Sequence, residues 1–215
     1  MTRKALFAAL ATLAMAQPFP ALASTPGPTF NCARAQGEVE KLICSDPALS
    51  ALDRKLDAAY RAAGTQTSGP LTARLRAEQG GWVKGRNECW KAHGQQTWIT
   101  ATWTVDTVKA CVEAQYRLRT SELQAVWRLV APQSITYACQ DNPADEVVAH
   151  FFATDPATIR LERGDRSVTL WQVSGAAAGL YEGQNVSLVH QGRTVKVSWL
   201  NTATGRTDTL QCSAR

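Results

Sequence analysis

Asp46-Pro47-Ala48-Leu49-Ser50-Ala51-Leu52-Asp53-Arg54-Lys55-Leu56-Asp57-Ala58-Ala59-Tyr60-Arg61-Ala62-Ala63-Gly64 decides how the first half of this chain folds. Asp46 is a good N-cap and Pro47 fits the first helical position. Leu49, Leu52, Leu56, Ala59, Tyr60 and Ala63 then recur at three and four residues, which places them on one helical face, and Gly64 ends the run. Working outward, a polar stretch leads to a second helix opened by Pro70, with Leu71, Leu75, Gln79 and Trp82 as its inner stripe. A third long helix is predicted over about Asp106 to Val130, with Val108, Val112, Tyr116, Leu123, Val126 and Val130 turned inward, and a short one over Glu38 to Cys44.

From Ser134 onward the period changes from three-and-a-half to two. Ile135, Tyr137 and Cys139 share a face, as do Val195, Val197 and Trp199, and then Leu210 and Cys212. Gly164-Asp165, Gln191-Gly192 and Thr204-Gly205 mark turns between short strands. Such spacing predicts a small antiparallel barrel or sandwich. The fold class is therefore α+β with two domains, a disulfide-stapled helical bundle followed by a small antiparallel β-barrel. The boundaries are a leader over residues 1–23, a helical domain over 24–131 and a barrel over 132–215, with Pro132 and Gln133 as the linker.

The leader has a basic start at Arg3 and Lys4, an apolar run from Ala5 to Ala16, and a small-x-small pattern at Ala21-Leu22-Ala23. It reads as a signal peptide cut after about Ala23. The run is short for a span, and the first cysteine, Cys32, lies well past the cut, so no membrane anchor is expected. The mature chain then resides in the periplasm of a bacterium or is secreted. All six cysteines lie beyond the leader, as an exported disulfide framework requires. Cys139 and Cys212 bracket the barrel and would join its first and last strands. Proximity favours Cys32–Cys44 and Cys89–Cys111 in the helical half, while sequence alone leaves other pairings there open.

Charge narrows the function. Residues 24–131 carry 14 basic and 10 acidic side chains, and residues 132–215 carry 7 and 8. Neither half has a block of like charge, so nucleic-acid binding finds no concentrated basic face. His93, His150 and His190 have no zinc spacing, no serine sits in a nucleophile elbow, and no glycine motif cradles phosphate. Glu38 and Glu40, two apart on a helix, face different ways. No catalytic residue, metal or cofactor is expected.

Phe30-Asn31-Cys32, Glu40-Lys41-Leu42-Ile43-Cys44-Ser45-Asp46-Pro47, Leu52-Asp53, Tyr60, Gln79, Trp82, Arg86-Asn87-Glu88-Cys89, Cys111 and Tyr116 together resemble the LprI-type lysozyme inhibitor domain over roughly Phe30 to Val130. The stretch from Trp90 to Thr107 is longer and richer in tryptophan than the family's link. Trp90, Trp98 and Trp103 read as satellite core under a long loop, or as an exposed aromatic contact patch. In the second half, Tyr137-Ala138-Cys139, Val173-Ser174-Gly175 through Gly179-Leu180-Tyr181, and Leu210-Gln211-Cys212 resemble MliC, the C-type lysozyme inhibitor domain.

That second resemblance implies lysozyme, of the C-type, as partner. It implies occlusion by a Ser/Gly/Ala loop that enters the lysozyme cleft, where two carboxyl groups lie. The implied contact residues are Ser174, Gly175, Gly179 and Tyr181 in the loop, and His190, Gln191 and Arg193 in a second loop. Ser174 can donate its hydroxyl hydrogen to a carboxylate, and Tyr181 can brace the loop or stack at its rim. Two positions depart from the family pattern. Gln191 stands where a basic residue precedes the glycine, and Leu180 where a basic residue often precedes the aromatic. A Ser-Gly-Ala loop is also an ordinary strand connection. The rival reading is an envelope binding module that recognises peptidoglycan fragments or a partner protein.

Overall fold

A computed structural model describes residues 26–215 apart from 141, 174, 176–178 and 203, with only the backbone of 142–144. Four α-helices come first: α1 (Glu38–Ser45), α2 (Pro47–Thr65), α3 (Pro70–Asn87) and α4 (Val108–Val126). The Asp46 carboxylate accepts from the N–H groups of Ala48 and Leu49, so the expected cap starts α2. Leu49, Asp53, Leu56, Ala59 and Ala63 are buried along it, and Gln66 N–H closes its end onto Ala63 and Gly64 carbonyls, one residue beyond the expected stop. Cys32 is bonded to Cys44 and Cys89 to Cys111, each tying an irregular segment to a helix.

Two helical expectations change. Leu71 is 50 % exposed, because the core contacts of α3 begin at Leu75. Helix α4 ends at Val126, since Arg128 takes φ 48° and Leu129 N–H turns back to Gln124 O. Val126 is consequently exposed and Val130 lies outside the helix. Helix α4 is buried on two sides. Val108, Val112, Tyr116 and Leu123 join the helical core, while Ser121 meets the second domain.

The Trp-rich stretch forms a two-stranded hairpin, β1 (Thr97–Trp98) and β2 (Thr104–Val105). Eight further strands follow: β3 (Gln133–Cys139), β4 (Asn142–Phe152), β5 (Thr158–Arg163), β6 (Arg166–Gln172), β7 (Leu180–Gly183), β8 (Val186–Gln191), β9 (Thr194–Asn201) and β10 (Arg206–Ala214). They run antiparallel in sequence order and close by pairing β10 with β3, so the sheet is a barrel rather than a sandwich. Tyr137, Val147, Ala149, Ile159, Leu161, Leu170, Leu188, Val195, Val197 and Leu210 fill the interior at period two. Cys139 and Cys212 are direct partners across the closing seam and are disulfide-bonded. Among the described residues the barrel strands therefore leave no long open edge to template association.

Candidate functional site

The connection from β6 to β7 leaves one end of the barrel at Gln172 and returns at Leu180. Val173 is buried and its N–H bonds to Leu180 O at 3.1 Å, which pinches the base of the connection. Gly175 (φ 76°) is exposed with open space around it. Ser174, Ala176, Ala177 and Ala178 lie outside the described residues.

Gly179 is the fixed point. It has φ 91°, and a Cβ there would lie 2.3 Å from His190 O. The N–H of His190 bonds to Gly179 O at 2.8 Å. Gly179 and His190, one from each stretch singled out in the sequence, are therefore side by side, and a side chain at Gly179 would push them apart.

Within this cluster the side chains divide. Tyr181 points into the barrel, its ring centroid 6.3 Å from Phe151, and burial pushes its phenol above the usual value. It braces the base of the connection. His190 also packs inward, 5.2 Å from the same Phe151 ring, and its Nε2 is buried with no hydrogen-bond partner among the described residues. Gln191 and Arg193 are exposed at the tight turn made by Gly192 and Arg193, where Gly192 has φ 61°. Arg193 reaches Ala214 O at 3.4 Å, at the edge of hydrogen-bond range. Gln191 and Arg193 thus put exposed side-chain donors on the turn that follows His190.

The structure adds a set of residues that sequence reading missed. Trp171 and Glu182 are cross-strand partners at the roots of β6 and β7 and face outward, toward the helical domain. Glu182 is only 5 % exposed, and its Oε2 accepts from Thr100 Oγ1 (2.9 Å), Thr102 N–H (3.1 Å) and Thr102 Oγ1 (3.0 Å) in the β1–β2 hairpin. Trp171 Nε1–H donates to Ser121 Oγ of α4 at 3.1 Å. Arg117 of α4 holds both oxygens of Asp155 at 3.1 and 2.9 Å, and Glu113 as well. Burial opposes the Arg117 charge, but these two carboxylates outweigh it and its pKa stands above the ordinary value. Pro156 and Ala157 follow Asp155, and Ala157 O accepts from Gln172 N–H, so this ion pair too sits beside the root of the connection.

The three tryptophans divide by exposure. Trp103 is half-buried, whereas Trp98 (64 %) and Trp90 (49 %) are exposed. The histidines are spread apart in role: His93 Nε2 lies 2.7 Å from Glu38, and His150 Nδ1 lies 2.6 Å from Ser134 Oγ. Among the described residues no group of three His, Cys, Asp or Glu side chains is placed to hold a metal, and no helix is long and apolar enough to cross a membrane.

Comparison with known proteins agrees with both halves. Residues 31–123 match the family described as Lysozyme inhibitor LprI, and residues 137–205 match Membrane-bound lysozyme-inhibitor of c-type lysozyme. These are families of inhibitors, not enzymes. Lipoprotein LprI of Mycobacterium bovis is 30% identical over 174 residues, covering 78% of this chain and 78% of its own length. The Lipoprotein LprI proteins of two Mycobacterium tuberculosis strains are identical to this chain to the same 30% with the same coverage. No solved structure matches. With that relative spanning both domains in one chain, and both modules matched in order, the chain belongs to the LprI lysozyme inhibitor family.

Proposed function

We propose that this protein is exported and blocks a C-type lysozyme by seating the β6–β7 connection in the enzyme's cleft. The observation that supports this most is the hydrogen bond from His190 N–H to Gly179 O, because it joins the end of the Gly/Ala connection to the strand that leads into the Gln191–Arg193 turn. Gly175 and three alanines give a connection thin enough for a narrow groove. Ser174 supplies a hydroxyl donor for a cleft carboxylate.

The two departures from the family pattern have a cost. Loss of cations at positions 180 and 191 removes partners for lysozyme carboxylates, about 2–5 kcal/mol if such a pair is buried. Arg193 is the exposed cation that replaces one of them. The His190 side chain packs on Phe151 inside the barrel, and only its backbone N–H meets Gly179.

Export fits the cystines, since all six cysteines are paired and such bridges persist in oxidising compartments. The mycobacterial relatives are named as lipoproteins. Here Cys32 is bonded to Cys44, so its sulfur is not free to carry a lipid.

The test is a cell-wall clearance assay with purified, fully oxidised protein and C-type, G-type and I-type lysozymes. Inhibition of the C-type enzyme at near-stoichiometric protein is expected, and Ser174→Ala should weaken it by about tenfold or more, as for one hydrogen bond to a charged group. Full activity of every lysozyme ends the proposal. Inhibition untouched by Ser174→Ala ends the assigned role of the connection.

A further inference from the structure

The helical domain holds a cavity that the loop mechanism does not use. It has a volume of about 480 Å³, within the range of small-molecule sites, and opens to solvent. Four segments meet there: residues 29–35, Glu40 of α1, Asp53 to Tyr60 of α2, and Gln79 to Arg86 of α3. Phe30, Asn31, Tyr60, Gln79, Trp82 and Arg86, which carry the N-terminal resemblance, all line it.

Its floor is a closed polar network. The Tyr116 hydroxyl donates to Asp53 Oδ1 at 2.8 Å and accepts from Arg86 Nη1 at 2.8 Å. Thr29 N–H and Oγ1 both donate to Asp53 Oδ2 at 2.7 Å. Arg86 lies against both the Trp82 and Tyr116 rings, 5.4 and 5.5 Å from their centroids, and its Nε and Nη2 donate to Asn87 Oδ1. At the wall, Asp57 is paired with Arg61 at 2.8 Å. The charges of the floor are thus matched internally, and an ionic ligand would find no uncompensated partner among them.

What remains open to a ligand is different in kind. Among the described residues the Tyr60 hydroxyl, the Gln79 amide nitrogen and the Asn31 amide nitrogen have no hydrogen-bond partner. Arg34 and Glu40 contribute one charge of each sign, Glu40 with its Oε2 already accepting from Gln36 N–H at 3.2 Å. Phe30, Tyr60 and Trp82 offer half-buried ring surface between these groups.

Flat apolar surface interleaved with neutral donors and acceptors suits a neutral ligand that has one apolar face and many hydroxyls. We infer that this cavity binds a short oligosaccharide, with its sugar C–H face against Tyr60 and Trp82 and its hydroxyl or amide groups on Asn31, Glu40 and Gln79. The inference stands apart from the β6–β7 connection, so it holds or fails whether or not the protein inhibits lysozyme.

The experiment is titration of the full, oxidised chain with two probes, chitotriose and maltotriose, followed by amide and side-chain NMR without lysozyme present. Saturable binding of either sugar, with shifts gathered at Tyr60, Gln79 and Trp82, supports the inference, and the stronger probe shows whether N-acetyl groups are read. Tyr60→Phe and Glu40→Gln keep shape and should each weaken binding by about three- to tenfold, as for one lost hydrogen bond. The Ser174→Ala variant should bind sugar as the parent does. No saturable shift with either sugar at millimolar concentration overturns the inference. Shifts confined to the barrel, or binding unchanged in both cavity variants, also overturn it.

Discussion

Glu182 on β7 and Thr102 in the β1–β2 hairpin are joined by two hydrogen bonds, one from the Thr102 N–H and one from its hydroxyl, both onto the same carboxylate oxygen. This ties the helical domain to the strand that leads out of the Gly175–Gly179 segment. Trp171, directly opposite Glu182 on β6, is held by Ser121 of α4. Both roots of the connection are therefore gripped by the first domain, and the long Trp-rich insertion supplies one of the grips. A loop whose ends are fixed has less entropy to lose on binding any partner.

Glu182→Gln should loosen this docking. The amide keeps the shape but replaces a charged acceptor that takes three hydrogen bonds, so about 1–3 kcal/mol of stability should be lost. Faster hydrogen exchange at the Thr102 amide, with slower change at Leu161 in the barrel interior, is the expected signature. Unchanged protection at Thr102 would show that the grip contributes nothing.

Gly179→Ala and Gly192→Ala form a matched pair. Both sites have positive φ, 91° and 61°, so each alanine meets a backbone cost of about 1–2 kcal/mol. Only at Gly179 does the new Cβ also meet a backbone atom, His190 O at 2.3 Å, whereas the space around Gly192 is open. Urea unfolding should therefore show a clearly larger loss for Gly179→Ala, and lysozyme inhibition should fall with it. Equal losses would mean that the contact with His190 relaxes at no cost.

The sequence made some of this legible and hid the rest for physical reasons. The α2 cap at Asp46 and the period-two faces around Tyr137, Val197 and Leu210 depend on local chemistry and on burial against one core, so they are visible in the pattern. The end of α4 is not legible in the pattern, because residues after it remain apolar while Arg128 breaks the helix by its backbone angle, and the same apolar run hides the exposure of Val126. Adjacency of Gly179 and His190 was foreseeable only through the family resemblance, because strand pairing places them together and no local signal does. Glu182 gave no signal at all. An acidic residue on a strand's outer face ordinarily meets water, and only the docked hairpin makes it a buried acceptor.

The three disulfides should not be equal. Cys139–Cys212 spans 73 residues and Cys32–Cys44 spans 12. Loop-closure entropy alone gives about 4 kcal/mol for the first and about 3 for the second. Replacing both cysteines by alanine in each pair, then unfolding in denaturant, should show the greater loss at the barrel seam, where β3 meets β10. Removal of Cys32–Cys44 should leave barrel amides protected while loosening residues 29–35 beside Asp53. A barrel that keeps full stability without its seam cystine would mean that strand pairing alone closes it.

The acid limb of stability has an identifiable contributor in Asp46. A hydrogen bond from Lys109 at 2.5 Å, together with the N–H groups of Leu49 and Ala48, holds its carboxyl below the usual 3.8. The folded pKa is thus lower than the unfolded one, so the unfolded chain binds the proton more readily. The stabilisation is full above the unfolded value and is lost as pH falls through the folded one. Asp46→Asn retains a side-chain oxygen for the helix cap but cannot titrate, and Asp46→Ala loses the cap as well, at about 1 kcal/mol. Chemical denaturation from neutral pH down through the carboxylate range should show a shallower acid decline for Asp46→Asn than for the parent. Asp46→Ala should be less stable than Asp46→Asn throughout, and the two variants should have the same slope. Parallel acid declines in parent and Asp46→Asn would remove the pairing with Lys109 as a source of the pH dependence.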